Sequence, residues 1–124
     1  MTLEFVEEVV EKEDLRVRVA MSQLANGTLI LVSDGEHRFG TMAVGVPTPF
    51  GEVSPTATSC IVGSRYTAEV RAIADIVAQK LRGIVLVNLF LSRENEAKVA
   101  LVLSAVRQII MKMDAPDETG SRLG

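Results

Sequence analysis

Residues 15–33 read LRVRVAMSQLANGTLILVS, and this stretch predicts a β-hairpin. In its first half, apolar residues alternate with arginine, alanine and serine, a period of two that is typical of a strand with one buried and one solvated face. Asn26-Gly27 follows, and this pair is a strong hairpin signal because both residues tolerate a positive φ angle. The returning segment TLILVS (28–33) is apolar on both faces, so we expect it at the centre of a sheet, covered on both sides.

Further strands are predicted on both sides of this hairpin. LEFVEEVV (3–10) precedes it and FGTMAVGV (39–46) follows it, and the tight turns between successive segments predict an antiparallel meander of these four strands. A fifth strand, ATSCIV (57–62), ends at Gly63.

The C-terminal half of the chain changes to helical spacing. Apolar residues recur between positions 70 and 81 with charged residues between them, which predicts a helix capped by Ser64 or Thr67 and ending near Gly83. The strand IVLVNLFL (84–91), again apolar on both faces, follows it. Ser92 is the predicted cap of a second helix, whose apolar stripe continues to position 113. Three of its residues are expected to face water: Lys98, Gln108 and Lys112.

The predicted order β-β-β-β-β-α-β-α indicates an α+β fold: an antiparallel sheet of about six strands with two C-terminal helices packed on one face. Residues 1–113 are predicted to form a single domain, and the polar segment 114–124 a flexible C-terminal tail. Because two helices cover only one face of a sheet, the other face is either solvated or packed on a second subunit. We therefore expect a dimer.

Composition narrows the classes of partner. The chain has 124 residues, of which 48% are apolar and 23% charged, a normal balance for one globular domain. Its net charge is −3, and no segment joins Lys and Arg with aromatics, so nucleic-acid binding is not expected. No apolar run reaches the roughly 20 residues that cross a bilayer. With one cysteine and no signal-peptide pattern, the sequence predicts a protein of the cytoplasm that does not bind membranes.

Catalytic patterns are missing from the sequence. His37, the one histidine, falls in a predicted turn, where we expect an exposed imidazole without a role. Cys60 falls in a predicted strand and is interpreted as a buried structural residue, with a reactive nucleophile as the alternative. The glycines match no phosphate-binding loop. We therefore predict no enzymatic activity, no cofactor and no metal site.

The segment 47–55 contains three prolines in nine residues, which excludes a regular strand. It is either an ordinary connector with Phe50 packed on the sheet, or a semi-rigid loop that presents Phe50 to a partner. The second interpretation makes it a candidate partner-binding loop, with these residues: Pro47, Thr48, Pro49, Phe50, Gly51 and Glu52.

Several local strings resemble a known family. Segments 28–32 and 38–42 resemble paired strands of the third proteasome-assembly chaperone, and SCIVG (59–63) resembles a strand that precedes the first helix in the third and fourth such chaperones. Segment 100–110 is similar to the closing helix of that family. The resemblance covers about residues 16–110 and consists mostly of hydrophobic patterning and element order.

The resemblance implies a non-catalytic protein that acts as a dimer and binds α-type subunits while the 20S proteasome α-ring forms. Its dimer partner would be a second copy or a paralogous chaperone, and residues 46–55 would correspond to a mobile contact loop. The alternative is a roadblock-like or longin-like dimeric scaffold that regulates a GTPase or a trafficking complex. Five strands before the first helix count against that alternative.

Overall fold

Six strands and two helices make up the part of the chain that the computed structural model describes, residues 4–47, 56–63, 65–92 and 96–114. The side chains of residues 56–62, 96, 113 and 114 are not described. The elements are β1 (Val6–Lys12), β2 (Leu15–Leu24), β3 (Gly27–Ser33), β4 (Thr41–Pro47), β5 (Thr56–Val62), α1 (Thr67–Leu81), β6 (Ile84–Phe90) and α2 (Glu96–Asp114). The predicted α+β class and element order are confirmed.

Strands β2 and β3 form the predicted hairpin, but the reason for a glycine at position 27 differs from the predicted one. Leu24 pairs with Gly27, so the connecting residues are Ala25 and Asn26. Neither Asn26 nor Gly27 is among the described residues with a positive φ angle. Instead, a Cβ atom at position 27 would lie 2.6 Å from the carbonyl oxygen of Ile84 on β6. Gly27 therefore permits the close approach of a neighbouring strand.

The strand order in the sheet is β1-β2-β3-β6-β4-β5. The predicted four-stranded meander is wrong, because β6 lies between β3 and β4. Strand β6 runs parallel to β3 and antiparallel to β4, so the sheet is mixed rather than wholly antiparallel. Strand β3 is central, as predicted, and β6, which is also apolar on both faces, is the other central strand. A tight turn makes two strands neighbours in a sheet only when it joins them directly. Residues 34–40 form a longer connection between β3 and β4, which leaves room for β6 between those two strands.

Both helices pack on one face of the sheet, as predicted. Helix α1 lies over β4, β5 and β6, and α2 lies over β1 and β2. Alternate residues of the strands meet the apolar stripes of the helices in one core, which includes Val17, Val19, Met21, Ile30, Val32, Val85, Val87, Val70, Ile73, Val77, Val102, Val106 and Ile109. Each buried aliphatic side chain of this kind contributes about 1.5–3 kcal/mol, so this core is what fixes the two helices to the sheet.

The ends of α1 depend on backbone conformation. Its N-cap residue is Tyr66, which adopts the left-handed conformation (φ 59°) and makes no side-chain capping hydrogen bond. The predicted caps are therefore wrong: Thr67 is the first helical residue, and Ser64 is not the N-cap. At the other end, Arg82 is also left-handed and its N–H donates to the Ala78 carbonyl at 2.8 Å, just before Gly83.

Close packing of α1 on the sheet depends on Gly45 in β4. A Cβ atom at that position would lie 2.6 Å from the Ala74 carbonyl oxygen of α1. The absence of a side chain lets the helix backbone approach the strand more closely than any other residue would allow.

Candidate protein-binding face

The face of the sheet opposite the helices is apolar at its centre. The register brings five large apolar side chains together there from the three neighbouring strands β3, β6 and β4: Leu29, Leu31, Leu86, Met42 and Val44. All five are half-buried, whereas the residues that alternate with them belong to the helix-covered core. No helix in the described ranges covers these five residues, which are called the open-face patch below.

A charged cluster lies on β1 and β2 beside this patch. Arg18 donates two hydrogen bonds to the Glu7 carboxylate, at 3.1 and 3.3 Å, and the His37 Nε2 atom lies 3.3 Å from the same carboxylate. Partial burial alone would raise the pKa of Glu7. The His37 hydrogen bond and the Arg18 charge outweigh that effect and lower the pKa. The prediction of an idle, exposed His37 is wrong, since its side chain is 27% exposed and contacts Glu7.

Asn88 fixes the loop that leads into β4. Its side chain is 2% exposed, accepts a hydrogen bond from the Gly40 N–H at 2.9 Å and donates one to the Arg38 carbonyl at 2.8 Å. Between these two anchored residues lies Phe39, whose side chain is 84% exposed. The guanidinium of Arg38 lies 6.0 Å from the centre of the Phe90 ring. The buried Asn88 amide thus fixes the backbone on both sides of the exposed Phe39.

A second ionic cluster connects the end of β3 to the start of α2. The Asp34 carboxylate accepts hydrogen bonds from the Ser92 N–H at 2.9 Å, the Ser92 hydroxyl at 2.7 Å and the Lys98 ammonium at 2.8 Å. Burial alone would raise the pKa of Asp34. The bonds from Lys98 and Ser92, with the Lys98 charge, outweigh burial and lower the pKa. Two predictions are corrected here. Lys98 does not face water. Ser92 does not cap α2, because it lies four residues before the helix begins and its hydroxyl donates to Asp34.

The structure describes little of the predicted partner-binding loop. Pro47 is the half-buried last residue of β4. Thr48, Pro49, Phe50, Gly51 and Glu52 lie outside the described residues, so the role of Phe50 stays a prediction. Cys60 lies in β5 opposite Ala43, and its side chain is also outside the description.

The chemistry of this face suits contact with another protein. The open-face patch supplies an apolar centre, and the neighbouring cluster of Glu7, Arg18 and His37 supplies a charged rim, a combination typical of protein interfaces. The pKa of Glu7 is lowered, so this residue of the rim is charged near neutral pH. Among the described residues, no group of three or more His, Cys, Asp or Glu side chains is placed to hold a metal ion. Neither described helix is long and apolar enough to cross a membrane.

Comparison with known proteins finds similarity in structure but not in sequence. No family model and no curated protein matches the chain. Among solved structures, the chain is similar to one from the crystal structure of a novel chaperone complex for yeast 20S proteasome assembly, with a TM-score of 0.61 at 12% sequence identity. The alignment covers 100% of both chains. This likeness shows that the two chains share a fold over their whole length.

Sequence reasoning missed Phe39 as a candidate contact residue. The pattern FGTMAVGV placed it inside a strand, but β4 begins at Thr41 and Phe39 precedes it in the anchored loop. A signal was present, since Gly40 interrupts the strand pattern and indicates an irregular backbone at that point. The partner that anchors the loop, Asn88, comes 48 residues later in the chain and no local pattern connects the two.

Proposed function

We propose that this protein is a non-catalytic assembly chaperone of the cytoplasm that acts as a dimer and binds α-type subunits during formation of the 20S proteasome α-ring. The observation that supports this most is the full-length likeness in fold to a chain of a chaperone complex for yeast 20S proteasome assembly. The open-face patch adds a second reason, because a non-catalytic assembly factor works through contact surfaces.

The open-face patch is the surface that we assign to the dimer. Its members are large aliphatic and thioether side chains in the centre of the sheet, half-buried in one copy. Two such sheets can pack face to face at about 10 Å, which would bury both patches completely. A stable dimer buries about 800 Å² on each partner, an area that a six-stranded sheet face can supply.

Purification of the tagged protein from its own cell extract tests the function directly. Mass spectrometry of the co-purifying proteins is expected to find α-type proteasome subunits without mature β-type subunits. A chaperone must leave before assembly finishes, so intact 20S particles should be absent from the sample. Recovery of complete proteasomes would contradict the proposal, because it would indicate a stable component rather than an assembly factor.

The same experiment separates the alternative function. A roadblock-like or longin-like scaffold would recover a small GTPase or trafficking proteins in place of α-type subunits. That outcome would replace the proposed function, while leaving the dimer assignment to be tested by self-association.

A further inference from the structure

A groove runs between α1 and α2 on the side of the molecule away from the open-face patch. It has a volume of about 550 Å³ and is lined by Ile76, Gln79 and Lys80 of α1 and by Arg107, Ile110 and Met111 of α2. Ile76 and Lys80 are four residues apart on one helix, as are Arg107 and Met111 on the other. Each pair therefore projects from one face of its helix. Buried Ile110 forms an apolar floor between them.

The apolar side chains of this groove are unusually accessible. Met111 is 68% exposed and Ile76 is 44% exposed, although the other large apolar side chains described in the two helices lie in the core or pack against it. Two large apolar side chains that face each other across a groove, beside a buried isoleucine, provide anchor sites for apolar groups of another molecule.

The charge of the groove is opposite to that of the chain. The chain carries a net charge of −3, yet both charged side chains in the described lining, Lys80 and Arg107, are cationic. Gln79 donates to Asp75 of its own helix at 3.1 Å, and Lys112, next to Met111, is paired with Glu8 of β1. An acidic group entering the groove would meet positive charge, which favours an acidic occupant.

We propose that this groove binds an acidic amphipathic helix of a client protein. Apolar residues of that helix would pack on Ile76, Ile110 and Met111, and its carboxylates would accept hydrogen bonds from Arg107. Main-chain groups within α1 and α2 already bond along their own helices, so the groove offers side-chain contacts rather than a strand edge. Side-chain contacts of this kind favour a helix as the occupant of the groove.

This inference rests on the proposed function in one respect: a dimeric chaperone needs a client surface that remains accessible after the open-face patch is covered. The groove meets that need because the helices lie on the other face of the sheet. The two claims can fail separately. Dimerisation and recovery of α-type subunits test the chaperone, whereas binding of a defined peptide tests the groove.

Two synthetic peptides test the occupant. Both are fluorescein-labelled and about four helical turns long, with leucines at helical spacing; one carries glutamates between the leucines and the other carries lysines. Fluorescence anisotropy with the full chain is expected to show at least about tenfold tighter binding of the acidic peptide. Equal affinity, or tighter binding of the lysine peptide, would overturn the proposal.

Matched variants locate the site on the full chain. Arg107→Gln and Gln108→Glu each make the net charge more negative by the same amount at adjacent exposed positions, but only position 107 lines the groove. We expect Arg107→Gln to weaken binding of the acidic peptide about fivefold, and Gln108→Glu to change it by less than about twofold. Equal effects of the two variants would show a non-specific charge response and would overturn the site.

Other occupants of the groove would give different results. If Asp117→Asn with Glu118→Gln, in the otherwise intact chain, tightened binding of the acidic peptide at least about tenfold, then the chain's own C-terminal segment would be the occupant. If Arg107→Gln instead weakened self-association in sedimentation experiments, the occupant would be a second copy. Either result overturns a client helix as the ligand.

Discussion

Asp34 shows how one carboxylate holds two distant parts of the chain together. Its side chain is 4% exposed and joins the end of β3 to Ser92 and to Lys98 of α2. A buried carboxylate is stable only when it is paired and hydrogen-bonded, and here a cation and two further donors fulfil that condition. The position of α2 over β1 and β2 therefore depends partly on this single side chain.

Replacing Asp34 by asparagine should make stability less dependent on pH. We expect Asp34→Asn to lower the free energy of unfolding by about 1–3 kcal/mol near neutral pH, because the charge-assisted bonds are lost. The pKa of Asp34 in the folded protein lies below its ordinary value of 3.8. Its contribution is therefore fully present above pH 3.8 and is lost as the pH falls through the folded value. Urea unfolding at several pH values measures this difference.

Glu36 provides the control for that experiment. It is a neighbouring carboxylate whose side chain is 84% exposed, and its contact with Arg38 at 3.4 Å lies on the surface. Glu36→Gln should change the free energy of unfolding by less than about 0.5 kcal/mol. A difference between Asp34→Asn and the unmodified protein that stayed constant through acidic pH would contradict the assigned role of the charge.

Phe39 should contribute to client binding and not to stability. Because its side chain is 84% exposed, Phe39→Ser should leave the thermal unfolding midpoint nearly unchanged. Loss of an aromatic anchor reduces affinity, so we expect at least about tenfold less α-type subunit recovered with this variant. Phe50→Ser, made in parallel, tests the contact residue predicted from sequence. Full recovery with Phe39→Ser would exclude Phe39 as an anchor.

At the scale of the secondary-structure elements, the contact between α1 and β4 is sensitive to added volume. The Cβ atom of Gly45→Ala would lie 2.6 Å from the Ala74 carbonyl oxygen, so the helix or the strand must move. We expect a loss of about 1–3 kcal/mol in the free energy of unfolding, measured by chemical denaturation. Gly35→Ala is the matched control, because no heavy atom outside Gly35 and its two chain neighbours lies within 4 Å of its Cβ position, and it should change stability by less than about 0.5 kcal/mol.

Sequence predicts well those elements whose formation depends on residues close together in the chain. Residues 15–22 alternate between apolar and polar because only one face of β2 is buried, so this strand was predictable. Strands β3 and β6 are apolar on both faces, which identified them as strands and predicted the central position of β3. The pairing of β3 with β6 was not, since Gly27 and Ile84 are far apart in the chain and no turn joins their strands. The Asp34–Lys98 and Asn88–Gly40 contacts escaped prediction for the same reason, and with them the exposure of Phe39.

At the scale of the whole molecule, placing a charge on the open-face patch should prevent the proposed self-association. In the proposed dimer, Leu86→Glu would bury an unpaired carboxylate between two sheets, so we expect this variant to be a monomer. Sedimentation velocity measures this. Ile76→Glu, the matched change on the helical side, should leave the dimer intact while weakening binding of the acidic peptide. Unchanged self-association in Leu86→Glu would place the dimer interface elsewhere.

The insertion of β6 between β3 and β4 has a consequence for synthesis on the ribosome. Strands β1 to β3, and likewise β4 and β5, can pair as they emerge, but residues 84–90 must appear before the two halves can join into one sheet. Until then, β3 and β4 each present an unpaired edge to any nascent neighbour. A chain that ends at Gly83 should therefore show no cooperative thermal transition. Until residues 84–90 have been synthesised, we therefore expect the nascent chain to be prone to aggregation.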